Sequence, residues 1–148
     1  WMDETAGGSP AYLSWRANTQ WLLRVEARPV QLLITLSQAD ARKASGHGRG
    51  YATAIGLHVV RGNAPADARR RKLFVGRDDV VAQAGPRFAQ QVMLEITLEP
   101  SPRPYVLVPC AHAPGIEGAF KLVVQADDVN DDGKPDFGLV PVREEDDW

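Results

Sequence analysis

The chain has 148 residues, 44% of them apolar and 24% charged, with a formal net charge of -2. That length suits one core of ordinary size, and that composition excludes disorder, collagen and general nucleic-acid binding. No stretch approaches the roughly 18 consecutive apolar residues of a membrane-spanning helix, the N-terminus lacks the basic flank and apolar run of a secretory signal, and the single cysteine, Cys110, cannot close an internal disulfide; a cytoplasmic protein is expected.

Taken in chain order, the periodicity is that of strands. Trp21 to Val25 is a short β-biased run. From Val30 to Ser37, Leu32, Ile34 and Leu36 fall on one face of an extended chain, and Ile55, Leu57 and Val59 repeat the pattern. Gln90 to Leu98 alternates Val92, Leu94, Ile96 and Leu98 with more polar neighbours, Tyr105 to Pro109 is a further short strand, and Phe120, Leu122 and Val124 close the series. Gly- and Pro-rich segments at 7–10, 45–50, 62–65, 100–104 and 114–118 punctuate these runs as turns. Helix is expected only in short pieces, at Asp78 to Gln83 and at Ala66 to Lys72. About seven strands at this spacing predict an all-β fold, an antiparallel β-sandwich of two sheets packed face to face.

Several of these segments resemble the calpain-type β-sandwich, calpain domain III. The matching residues are Trp1, the Gly7-Gly8 pair, Trp15 with Asn18 and Gln20, and the Val30 strand running into Ser37-Gln38-Ala39-Asp40. They continue through Ile55-Gly56-Leu57, Tyr105-Val106-Leu107-Val108-Pro109 and Glu117-Gly118-Ala119-Phe120-Lys121-Leu122, in the family's order from Trp1 to about Gln125. The resemblance implies a C2-like sandwich of about eight strands over residues 1–126 that is not itself an enzyme. It also implies a regulatory and interaction role beside a cysteine-protease core, with neighbouring domains or other proteins as partners and with calcium and acidic phospholipid as family ligands. Residues 127–148 then form an acidic C-terminal segment that packs on the sandwich or leads into a further domain. The family's acidic loop after the second strand is missing, because Ala41 to Gly50 carries Arg42, Lys43, His47 and Arg49 and no carboxylate.

Two charged clusters are candidate binding sites. Asp128, Asn130, Asp132 and Asp136 stand at positions 1, 3, 5 and 9 of a loop with Gly133 at position 6, the spacing that aims alternate oxygens at one Ca2+ ion; the position-12 glutamate of a full EF-hand is replaced by Leu139. The alternative is a solvated linker whose Asx side chains cap turns. The run Arg69-Arg70-Arg71-Lys72 could meet an anionic surface such as acidic lipid headgroups, or be a solvated loop neutralised by the chain's own acidic tail.

Catalysis has little support. Cys110 and His112, two residues apart in an extended chain, are the sole candidate nucleophile and base, but a thiol ending an apolar strand is expected to be structural. Three scattered histidines and one cysteine do not make a zinc site, and Gly46-His47-Gly48-Arg49-Gly50 lacks the Gly-Lys-Ser/Thr ending of a phosphate-binding loop. Trp1, Trp15 and Trp21 are expected to supply packing area rather than a stacking platform.

Overall fold

In the computed structural model, residues 7–8, 13–26, 28–38, 54–63, 70–111, 120–126 and 137–142 are described. They form eight strands: β1 (Trp21–Arg24), β2 (Val30–Gln38), β3 (Ile55–Arg61), β4 (Val80–Arg87), β5 (Gln91–Leu98), β6 (Tyr105–Ala111), β7 (Phe120–Ala126) and β8 (Gly138–Pro141). Two short 3-10 turns, Leu13–Ala17 and Arg77–Asp79, complete the described elements. The strands make a five-stranded sheet in the order β4-β3-β6-β1-β8 and a three-stranded sheet in the order β5-β2-β7. Every pairing is antiparallel. The expected β-sandwich is therefore present.

The alternation in β2 explains the three-stranded sheet. Val30, Leu32, Ile34 and Leu36 are buried, and Leu32, Ile34 and Leu36 sit opposite Ile96, Leu94 and Val92 of β5 and opposite Ala126, Val124 and Leu122 of β7. Each aliphatic side chain taken from water stabilises by about 1.5–3 kcal/mol, so a slip by one residue would expose four of them and cost on the order of 6–12 kcal/mol. That is comparable with the whole stability of a domain, which fixes the register. Leu23, Ile55, Leu57, Val59 and Leu107 face this layer from the five-stranded sheet, and Trp21 of β1 meets Phe120 of β7 edge-on at 6.1 Å between ring centroids.

β6 is buried along its whole length. One of its faces belongs to the core between the sheets, while Val106, Val108 and Cys110 face the other way. There they join Leu22, Val60, Val142 and Trp15 in a second apolar cluster, against which Val75 also packs. The outer face of the five-stranded sheet is thus roofed by the turn carrying Trp15 and by the segment before β4.

Two expectations are corrected. Asp78 to Gln83 is not helical: a single 3-10 turn at Arg77–Asp79 leads directly into β4. β4 pairs with β3 through two register irregularities, between Ile55 and Leu57 and between Val59 and Val60, which break the two-residue alternation. Pro86 is tolerated because β4 lies at the sheet edge. The helix expected at Ala66 to Lys72 is not present in residues 70–72, and 66–69 lie outside the described residues.

Candidate functional site

The basic run is not a uniform exposed patch. Arg69 lies outside the described residues and Arg70 is exposed, but Arg71 and Lys72 are buried, at 3% and 7% exposure. The expectation that all four cations face an anionic surface is corrected for these two. Arg71 Nη1 and Lys72 Nζ are engaged by the protein's own groups. Arg71 Nη1 donates to the carbonyl oxygens of Arg16 at 3.0 Å and Asn18 at 3.2 Å. Lys72 Nζ lies 3.5 Å from Asp79 Oδ2, and Arg103 Nη2 lies 4.0 Å from Asp79 Oδ1. Burial works against ionisation of Asp79, but the Gly76 N–H at 2.9 Å and the Lys72 and Arg103 cations outweigh it and hold the carboxyl below its ordinary pKa.

The clasp around these cations comes from the segment between the Trp15 turn and β1. The fully buried Gln20 carboxamide accepts from Lys72 N–H at 2.8 Å and donates to the Lys72 carbonyl at 3.0 Å and to the Arg16 carbonyl at 3.1 Å. Asn18, also fully buried, accepts from Gly7 N–H at 2.9 Å and donates to the Gly8 carbonyl at 2.8 Å. Buried backbone groups must be paired somewhere, and in this roof, which has no ladder of its own, side-chain amides replace a strand partner. Asn63 Nδ2 adds a bond to the Arg71 carbonyl at 3.0 Å, and Val142 N–H donates to the Gln20 carbonyl at 2.9 Å. On the solvent side, the Arg16 guanidinium lies 5.8 Å from the ring centroid of Phe74, which is 67% exposed.

Under the same roof, Cys110 Sγ lies 3.5 Å from His58 Nδ1. Sequence spacing missed this pair, because β3 and β6 bring together residues 52 positions apart: His58 stands opposite Val108, and Cys110 opposite Gly56. His112, the base expected beside Cys110, lies outside the described residues; the imidazole in contact is that of His58. Burial pushes the Cys110 thiol up to about 12, and burial pulls the His58 imidazole down to about 4 against a smaller opposing effect of a hydrogen bond with the Val108 backbone. A thiolate–imidazolium nucleophile needs the reverse order of acidity, so the pair is neutral and structural.

The candidate calcium ligands Asp128, Asn130, Asp132 and Asp136 all lie outside the described residues, in the connection from β7 of one sheet to β8 of the other. Among the described residues, no group of three or more His, Cys, Asp and Glu could hold a metal ion, and no helix is long and apolar enough to cross a membrane. Two shallow grooves are present. One of about 360 Å³ on the three-stranded sheet is lined by Gln31, Leu33, Glu95 and Gln125 among others, and one of about 280 Å³ at an end of the sandwich by Arg24, Glu26, Ser101 and three prolines. Neither is lined by a histidine or a cysteine.

The comparisons with known proteins agree with this non-catalytic geometry. The family described as calpain large subunit, domain III, matches residues 1–125. The chain belongs to the calpain domain III family. It is 34% identical over 139 residues, 84% of its length, to the calpain-type cysteine protease ADL1 of Oryza sativa subsp. japonica. It is 31% identical over 139 residues, again 84% of its length, to the calpain-type cysteine protease DEK1 of Zea mays, and 31% identical over 137 residues, 90% of its length, to the serine/threonine-protein kinase 4 homolog B of Dictyostelium discoideum. The chain spans 6% of the length of each of the two protease relatives and 11% of the kinase relative. As a domain III, this sandwich is not the protease domain.

Proposed function

We propose that this domain III is a non-catalytic regulatory and interaction module of a calpain-like protein, making contacts with neighbouring domains or with other proteins through its sheet faces and charged loops, in a cytoplasmic setting. The observation that carries this reading is that one sandwich is similar to segments of proteins named for two different chemistries, a cysteine protease and a protein kinase. A segment shared between them does neither reaction, and the neutral Cys110–His58 pair supports the same conclusion. Hydrogen–deuterium exchange of the 148-residue chain, alone and mixed with the polypeptide encoded beside it, tests the reading. Slowed exchange on one sheet face or at the Arg16–Phe74 surface is expected. Unchanged exchange everywhere at saturating partner, or peptide hydrolysis by the module alone, would defeat it.

A calcium- and acidic-phospholipid-responsive module is the second reading, favoured by the oxygen spacing of Asp128, Asn130, Asp132 and Asp136. Calorimetric titration with millimolar calcium is expected to give heat that Asp128→Ala and Asp132→Ala remove; a silent titration of the native chain rejects it. With Arg71 and Lys72 buried, sedimentation with phosphatidylserine vesicles is expected to depend on Arg69 and Arg70 and to weaken with salt.

A further inference from the structure

The two sheets do not end level. Phe120 of β7 packs on Trp21 of β1, and β8 is the next strand beyond β1, so the five-stranded sheet runs one strand past β7. The register sets Leu139 and Pro141 of β8 beside Leu23 and Trp21, on the face turned towards the three-stranded sheet. Both are nevertheless exposed, Leu139 at 37%. The inner residues Leu122 and Val124 of β7 are only half-buried, while their β2 partners Leu36 and Ile34 are fully buried. The core is therefore open along a trough one strand wide, floored by β8 and walled by β7. The wall is also an unfinished ladder. Among the described residues, β2 is the one strand paired with residues 121–126, and an edge strand turns every second N–H and C=O away from its partner. The other edges are guarded. β4 has two register irregularities and Pro86, β8 is four residues long and ends in Pro141, and β5 lies against β4. β7 pairs with β2 in unbroken register and contains no proline.

We propose that this trough is a strand-addition site: one extended segment of another polypeptide pairs with the free edge of β7 as a fourth strand and lies over Leu139 and Pro141 of β8. Such a site rests on the interaction role proposed above and names the chemistry of the partner. Main-chain bonds to β7 supply affinity, and side-chain alternation supplies selectivity. Towards the core, the segment needs apolar residues to cover Leu122, Val124 and Leu139. On the outer face it meets Lys121, Val123 and Gln125, a set with one cation and no carboxylate. An acidic residue opposite Lys121 and a β-branched one opposite Val123 fit that face. A second copy of this chain does not fit, because antiparallel pairing of β7 with its own counterpart would drive the overhanging β8 of each copy into the other copy's five-stranded sheet. The width of the trough selects a single strand.

Backbone NMR of the 148-residue chain titrated with a synthetic peptide tests the site. The probe is an end-capped strand of about eight residues that alternates valine with threonine and carries one glutamate on its threonine face. At roughly 1 mM peptide, the amides of residues 121–126 and the Leu139 methyl groups are expected to shift, and alternate amides of β7 to gain protection from exchange. Lys121→Glu is expected to weaken binding about twofold to fivefold, and a peptide with lysine in place of its glutamate to restore it. Leu139→Asn, at an exposed position, is expected to weaken binding about fivefold, with unchanged signals from Leu32, Ile34 and Val59 showing that the variant is folded. Unmoved signals of residues 121–126 overturn the proposal, as do shifts that ignore both substitutions. Alternate β7 amides already protected in the free monomer, or protected through concentration-dependent dimerisation, overturn it as well. Failure here is separable from failure of the interaction role: exchange slowed by the neighbouring polypeptide on another face, with no peptide bound at β7, removes strand addition alone.

Discussion

The carboxamide of Gln20 closes on both backbone polar groups of Lys72, accepting from its N–H and donating to its C=O across 52 residues of sequence. It reproduces, with one side chain, the pair of bonds a neighbouring strand would make. Gln20→Ala leaves the buried N–H and C=O of Lys72 without these bonds, and each orphaned group costs about 1–3 kcal/mol. A loss of about 2–4 kcal/mol is expected in urea unfolding, with Gln20→Glu also destabilising because a carboxylate cannot donate to the Lys72 carbonyl.

The His58 imidazole makes stability depend on acid. Its folded pKa, near 4, lies below the ordinary 6.5, so between these values the unfolded chain binds the extra proton. Stability is complete above about pH 6.5 and declines as the pH falls towards 4, by roughly 3 kcal/mol from this group at about 1.4 kcal/mol per pH unit. Urea midpoints measured at intervals across that range check it, and His58→Gln is expected to remove this component of the slope.

Cys110 governs the alkaline side. The unfolded thiol ionises near its model value of 9 while the folded one resists to about 12, so stability contributed by the protonated thiol is lost as the pH rises above 9. At pH 8 the native chain is expected to leave a thiol reagent unconsumed over hours and to react fully once unfolded in guanidinium. Rapid labelling of the folded chain would mean that the roof does not cover this position.

Gly62 is tightly enclosed without needing an unusual backbone. Its N–H donates to the Pro104 carbonyl at 2.7 Å, its own carbonyl accepts from the Arg103 guanidinium, and a Cβ would lie 2.5 Å from the Pro104 oxygen. Gly62→Ala is expected to destabilise by about 1–3 kcal/mol, the usual cost of forcing atoms into a packed site. At Gly138 a Cβ meets nothing within 4 Å, so Gly138→Ala is expected to leave the thermal midpoint nearly unchanged.

Trp21 and Phe120 join the two sheets. A double-mutant cycle with Trp21→Leu and Phe120→Leu is expected to return about 0.5–1.5 kcal/mol of coupling, the range for an edge-to-face ring pair. Additive losses would show that the rings contribute area alone.

Strands with one face in the core were legible because burial writes a two-residue alternation: β2 and β5 appear within a residue of their expected limits, and β7 runs two residues past Val124. β6 was legible as an apolar run, though not the reason for it, since its second buried face depends on Trp15 and Val75 arriving from elsewhere. β4 was hidden because Ala82, Gln83 and Ala84 favour helix locally and its register shifts spoil the period. β8 was missed because four exposed residues carry no pattern. The clasp was illegible for a different reason. Asn18 and Gln20 contributed to the family resemblance, but nothing near them in sequence indicates that they hold residues 7–8 and 72, and an Arg-Lys run looks identical whether its members face water or a carbonyl.

The antiparallel ladder between β1 and β8 sets Trp21 opposite Pro141 and Arg24 opposite Gly138. Tension applied between the N-terminal end of β1 and the C-terminal end of β8 would therefore act at one end of the ladder and open it bond by bond, like a zip, instead of shearing all its bonds together. The short, exposed β8 would peel away first, under a small load, while the other seven strands, around β2 and β6, stayed closed.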